Sequence, residues 1–260
     1  MITEKRIILC VLQIVLTAAC VNGQEAKRIV FRGGSDDWNN PENWDKGVVP
    51  GVDNEAGIIS GTVKITNTVT VGYLKAGMGD SGRAEVIIDG GTLYAVGTVE
   101  YNSATFRGNG SIVIQNGGSA SFNSRFFVGM ESTPRGSVTI HDGTLCVANT
   151  YSHNHQYTGT NVLGTRTTIN TGGLLDVNDL ILNSGVMDIA GGTLVVRMDI
   201  SSQVNQWVSN GRMIAMGGKE GWKIEAAPDA STGATVIIAV PTDPAHPKPA
   251  HPPVPERKPI

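Results

Sequence analysis

Two groups of residues in this chain have the types and spacing that chemistry requires. The first is His153-Asn154-His155, with His141 upstream. A His-x-His pair on a strand puts both imidazoles on one side, a donor set suited to Zn or Cu. Apart from Asp142 and Cys146, no carboxylate or cysteine stands at a convincing spacing to add to it, so a solvated polar loop is expected and no metal is assigned. The second group is acidic: Asp176, Asp179, Asp188 and Asp199, with Arg166 and Arg197. Polysaccharide cleavage needs two or three carboxylates, or a carboxylate with a basic partner, gathered in one groove. Asp89 and Asp142 fall at turn positions, where Asp bonds its own backbone. Asp176 and Asp188 fit the outward phase of strands, so solvated faces are expected for these acids and no catalytic residue is assigned. Asp176-Val177-Asn178-Asp179 has the polar spacing of a calcium loop but lacks its central Gly and terminal Glu. There is no phosphate loop and no nucleophile elbow, and no cofactor is expected.

Whatever these residues do, a repeat must position them. The stretch Val86-Ile87-Ile88-Asp89-Gly90-Gly91-Thr92-Leu93-Tyr94-Ala95-Val96 returns at Ile112–Phe122, Val138–Val147, Ile169–Val177 and Met187–Val196. Each version is a β-branched run, a polar-Gly turn and a second apolar alternation. The corresponding glycines (Gly91, Gly118, Gly143, Gly173, Gly192) lie 27, 25, 30 and 19 residues apart. A drifting period of that size predicts stacked coils: an all-β, single-stranded, right-handed parallel β-helix. Val86, Ile88, Leu93 and Ala95 are assigned inward, as are Val138, Ile140, Leu145 and Val147, and Met187, Ile189, Leu194 and Val196. The coils at Ile114 and Ile169 carry one extra residue before Ala120 and Leu175. Since a one-residue slip reverses facing, the turn itself must absorb it, as a bulge at the paired glycines whose positive φ costs little. Val71-Gly72, Val96-Gly97, Val128-Gly129 and Leu163-Gly164 read as one further strand or corner per coil. Asn149–Thr160 is polar and turn-rich, which predicts an outward loop. Amphipathic helical periodicity is not evident after residue 25.

The boundaries follow from composition. Lys5-Arg6 and the apolar run Ile7–Ala19 make residues 1–23 a signal peptide, with cleavage before Gln24. Thr17-Ala18-Ala19-Cys20 offers a lipoprotein alternative through Cys20, although Thr17 stands where a lipobox has Leu. Removing residues 1–23 leaves Cys146 alone, so no disulfide framework is expected. Residues 24–60 are assigned as an N-terminal cap and first strand. Trp38 and Trp44 in this segment either cover the open end of the stack or offer a platform for sugar rings, and the cap is the expected reading. Residues 61–240 are the repeats, with Trp207 and Trp222 large enough to close the far end. Residues 241–260 hold eight of the 12 prolines, which predicts a disordered, Pro-rich tail. Charged residues are 17% of the chain and the net charge is −3, which leaves no basic footprint for nucleic acid. The apolar run at the N-terminus is too short to span a membrane.

Trp38, Asn43-Trp44, Pro50-Gly51 and Asp53, followed by Gly91-Thr92-Leu93 and Gly143-Thr144-Leu145, resemble exported bacterial repeat proteins. These are β-helix proteins similar to autotransporter passengers and to the sorting-signal-type surface repeat proteins of planctomycete-like bacteria. The resemblance covers roughly residues 31–240 and implies a right-handed parallel β-helix with surface or adhesive roles. It departs from the anchored members after Val240, where the sequence holds no hydrophobic span, basic cluster or translocating barrel. No catalytic residue is carried over, because the shared motifs are structural. The expectation is a secreted or cell-surface, non-enzymatic solenoid, a surface-layer, adhesive or matrix protein whose partners are polysaccharide or cell-surface components. The alternative is a carbohydrate-active β-helix protein, a polysaccharide lyase or hydrolase or a glycan-binding module.

Overall fold

A computed structural model describes residues 27–79, 82–105, 108–130, 135–153 and 164–243, together with Ala245. Its strands stack as a β-solenoid of about seven turns. Among the described residues one face is a purely parallel sheet of seven strands: Gly61–Ile65, Arg83–Asp89, Asn109–Gln115, Arg135–Ile140, Arg166–Asn170, Val186–Ala190 and Met213–Ala215. A second face carries Thr68–Val71, Thr92–Ala95, Ser119–Phe122, the first part of Thr144–His153, the first part of Leu174–Leu182, and Thr193–Val196. The third carries Lys27–Phe31, Asn54–Ile58, Tyr73–Ala76, Asn102–Ser103, Phe126–Val128 and the later parts of the two long strands.

Period-two alternation decides what lies inside. On the first face Val63 and Ile65, Val86 and Ile88, Ile112 and Ile114, Val138 and Ile140, and Met187 and Ile189 are all buried in one continuous core. Ladder register aligns them coil upon coil, Ile88 with Ile114, Ile114 with Ile140 and Ile140 with Ile169. The extra residue before Ala120 leaves this facing intact: Ala120 pairs with Leu93 below and Leu145 above. It is absorbed in the turn, where Asn116 and Gly117 both take positive φ.

The paired glycines take the positive φ expected of these corners, but only the first of each pair carries it. Gly91, Gly118, Gly143, Gly173 and Gly192 have ordinary φ; positive φ falls on the residue before, at Gly90, Gly117, Gly172 and Gly191. What the five share is close approach to the coil below. A Cβ at Gly143 would lie 2.3 Å from the Gly118 carbonyl oxygen, and one at Gly118 would lie 2.5 Å from that of Ile88. Gly143→Ala is therefore expected to lower stability by about 1–3 kcal/mol, the ordinary cost of overpacking. Gly51→Ala, whose nearest atom would be 3.8 Å away, serves as its control in the same thermal unfolding measurement. Equal midpoints for the two variants would contradict the close-approach account.

Three further expectations need correction. Val71-Gly72 and Val96-Gly97 occupy the corner between the second and third faces, where Gly97 N–H donates to the Gly72 carbonyl at 2.8 Å. Val128-Gly129 instead ends the third face, so the Val-Gly pairs are not one recurring element. Asn149–Thr160 is not wholly an outward loop: the strand Thr144–His153 runs through its start and turns Tyr151 and His153 into the core, while residues 154–163 lie outside the described part. A helix does occur, Ser201–Ser209, with Val204 and Trp207 buried one turn apart against the last coil. It is short, and its two inward residues do not extend far enough to show as a helical period. Beyond it Thr235–Pro241 pairs antiparallel with both Thr193–Val196 and Trp222–Pro228, ending the parallel stack.

At the other end the segment around Trp38 and Trp44 closes the core. Trp38 N–H donates to the Lys64 carbonyl at 3.2 Å, and Lys64 N–H to that of Asp36 at 2.5 Å, which pairs the edge of the first face. Asn43 holds the loop shut, its amide donating to the carbonyls of Ser35 and Asp37. The two indoles meet edge to face at 4.9 Å. The tail from His246 onward and residues 1–26 lie outside the described part.

Candidate functional site

The histidines separate. His141 is exposed at a corner, with Nδ1 3.4 Å from the Asn170 amide. His153 points the other way, into the solenoid, where its Nε2 and the Tyr151 hydroxyl both lie 2.7 Å from the Thr167 Oγ1. Burial, partly offset by the Ser184 backbone, pulls the His153 pKa down to about 3, so the ring is neutral and serves the core as a polar tie between two faces. Burial likewise pushes the Tyr151 hydroxyl up, against the pull of its bond to Thr167. His155 lies outside the described residues, among which no group of three or more metal-ligating side chains occurs.

The acids separate as well, and two of them are not solvated. Asp176, on the second face, is 1% exposed and takes a two-pronged contact from Arg197, Nε at 2.8 Å and Nη2 at 2.5 Å. Asp188, on the first face, is 3% exposed, held by Arg166 Nη2 at 2.5 Å and by the Gly217 N–H at 2.8 Å. The turn Met216–Gly218 covers it, which alternation alone could not show. Asp179 receives the Thr150 hydroxyl on the third face, and exposed Asp199 receives the Ser201 N–H and hydroxyl before the helix. Those two Ser201 bonds hold the Asp199 carboxyl below its ordinary range. Arg166 and Arg197 thus serve different carboxylates on different faces, and the four acids form no common groove. Trp38 and Trp44 are 0% and 2% exposed, so neither ring faces a ligand.

A depression elsewhere on the first face was not anticipated. Its cavity of about 290 Å³ is lined by Arg83, Asn109, Gly110, Ser111, Arg135, Ser137 and Gly164. Parallel register sets Arg83, Asn109 and Arg135 side by side at the starts of three successive strands, with Ser111 and Ser137 in the next outward row. The backbones of Arg83 and Arg135 are two strand spacings apart, roughly 9–10 Å. Neither guanidinium makes a hydrogen bond or ion pair among the described residues. On that face Glu85 accepts a bond from Ser111 at 3.3 Å. A signal for the trio existed in the sequence: Arg83, Asn109 and Arg135 recur at equal intervals of 26 residues, in one phase of the repeat. Tracking apolar rows alone passes over it.

Compared with protein-family models, curated proteins and solved structures, the chain has no match.

Proposed function

We propose that this chain is an exported, non-enzymatic β-solenoid that works as a surface-layer, adhesive or matrix protein. The observation that supports the reading most is the pairing of Asp176 with Arg197 and of Asp188 with Arg166 on separate faces. Acid–base or nucleophilic cleavage of a glycan draws on at least two carboxylates in one groove, kept apart in pKa by their surroundings. Here Asp176 and Asp188 are each engaged by one arginine, an arrangement that fixes structure. A long, rigid stack of coils also suits contacts spread over many weak sites. No helix among the described residues is long and apolar enough to cross a membrane.

The test follows the protein from its host. Recovered from the envelope or medium, it is expected to begin near Gln24. Incubated with insoluble polysaccharides or host surfaces, it is expected to sediment with one or more of them and to release no new sugar ends. Sugar release abolished by Asp176→Asn or Asp188→Asn, in variants that keep the wild-type unfolding midpoint, overturns the reading in favour of an enzyme. A chain retained inside the cell overturns export.

A further inference from the structure

We infer that the depression between Arg83 and Arg135 is a binding site for the anionic groups of an acidic polysaccharide. This rests on the adhesive reading and gives it a ligand class. Three features of the site converge on that chemistry. First, two guanidiniums on adjacent-but-one coils present donor forks that are unpaired among the described residues, the geometry that takes carboxylate or sulfate oxygens in pairs. Elsewhere on the same face an arginine of the repeat is engaged: Arg166, one strand beyond Arg135, is taken by Asp188.

Second, Asn109, Ser111 and Ser137 in the floor between the arginines are neutral groups that donate and accept, with the carboxylate of Glu85 at the edge of the serine row. Asn109 stands between the two arginines, and Ser111 and Ser137 lie in the row below. Ser111 is already oriented, its hydroxyl within 3.4 Å of the Ala84 carbonyl. Such a floor matches sugar hydroxyls flanking an acidic group. Third, Arg135 has a seat. Gly164 lies against its stem, so that a Cβ there would approach Arg135 Cγ to 3.0 Å. Its φ of +129° is one that glycine alone adopts without strain.

A polymer fits the site better than a small anion, because the charges are set along the stack axis rather than converging on one point. Nucleic acid fits less well: the chain is net negative, and the depression offers no aromatic ring for bases to stack on. A polysaccharide carrying repeated acidic groups, laid along the stack, meets Arg83 and Arg135 in succession.

The full exported chain is titrated with a soluble polyuronate, a sulfated glycan, neutral dextran and single-stranded DNA. Tighter binding of the polyuronate than of the sulfated glycan, or the reverse, identifies the anion. Binding to at least one of these two is expected, weakening with added salt as counterions are displaced. Arg83→Gln/Arg135→Gln is expected to lose about tenfold or more of that affinity, the scale of losing charge-assisted contacts. Arg83→Lys/Arg135→Lys retains the charge but not the fork and is expected to fall between the two. Lys219→Gln, an exposed cation at the far end of the stack, is expected to change nothing. Unaltered acidic-glycan binding by the double glutamine variant overturns the site while leaving adhesion intact. Equal binding of dextran, or preference for DNA, overturns the ligand class. All three variants are surface changes, and matching unfolding midpoints confirm that lost binding is not lost folding.

Discussion

Replacing Lys75 with methionine is expected to destabilise the chain by about 3–5 kcal/mol, the cost of breaking a buried ion pair by removing one partner. Lys75 Nζ lies 2.5 Å from Glu55 Oε2 and 2.9 Å from Glu100 Oε2, on the outer side of the third face. Its side chain is 5% exposed and that of Glu55 3%. Tyr101 closes over the ammonium with its ring centroid 4.4 Å away. The loop that brings Glu100 and Tyr101 there is pinned by the Tyr73 hydroxyl, which accepts from the N–H groups of Val99 and Glu100. Methionine keeps much of the stem but not the charge, leaving Arg28 as the remaining cation on Glu55. For a chain of this size the loss corresponds to a drop of roughly 6–20 °C in the unfolding midpoint. Lys75→Met/Glu55→Gln is expected to cost less than the two single changes added together, since each single change strands the other's charge.

The same pair fixes a pH dependence. Burial alone would raise the Glu55 pKa, but hydrogen bonds from Arg28 and Lys75 outweigh it and hold the carboxyl below its ordinary value. A depressed folded pKa means stability that is present above the unfolded value, about 4.3, and lost as pH falls through the folded one. Lys75 is the converse. Burial pulls its pKa down, yet the bonds to Glu55 and Glu100 raise it overall, so its contribution persists below the ordinary lysine value and fades as pH rises through the folded one. Unfolding midpoints of the natural chain should therefore decline below about pH 4.3. Lys75→Met should flatten that decline, because it removes one of the bonds that depress Glu55. An acid limb as steep in the variant as in the natural chain would show that the pair carries little of it.

Nothing in the sequence announces this cluster. Glu55 and Lys75 lie on neighbouring third-face strands, and Lys75 aligns with Ser103 one coil further on. Read by alternation, they are outward residues, and only the covering loop makes them buried. Asp176 and Asp188 were misread for the same reason. Facing is a local property and shows in a period of two; burial of an outward residue depends on what the chain later lays across it. The inward rows were legible because each apolar side chain repeats its neighbour's choice in the coil below. Thr167 is the informative exception. It faces inward among Val, Ile and Met, yet it is buried because Tyr151 and His153 reach its hydroxyl from the third face. The Arg83-Asn109-Arg135 row was legible in principle, since register carries outward residues in phase as faithfully as inward ones.

Ile140→Asp and Thr139→Asp put the same carboxylate one residue apart and are expected to differ sharply. Ile140 is fully buried, with Ile114 beneath it and Ile169 above. Thr139 points outward between Val113 and Thr168 and remains half-buried at the surface. An unpaired neutral polar group costs roughly 1–3 kcal/mol to bury and a charge costs more, on top of the packing lost with the isoleucine side chain. In a solenoid each coil contacts only its neighbours, so the damage falls on the coils of Ile114 and Ile169 as well, and the variant is expected to unfold well below the natural chain. Thr139→Asp leaves its charge in contact with water and should change stability by about 0.5 kcal/mol or less. Acid separates a buried charge from a mere packing defect. An aspartate at position 140 is desolvated without a partner, so its folded pKa rises above the unfolded value. The neutral form is then favoured on folding, and the variant regains stability as pH falls below that raised value, the opposite sense to Glu55. Ile140→Asn, which has nothing to titrate, should show no such recovery. Similar midpoints for the two aspartate variants, or an Ile140→Asp deficit that does not ease in acid, would show that residue 140 does not face the core.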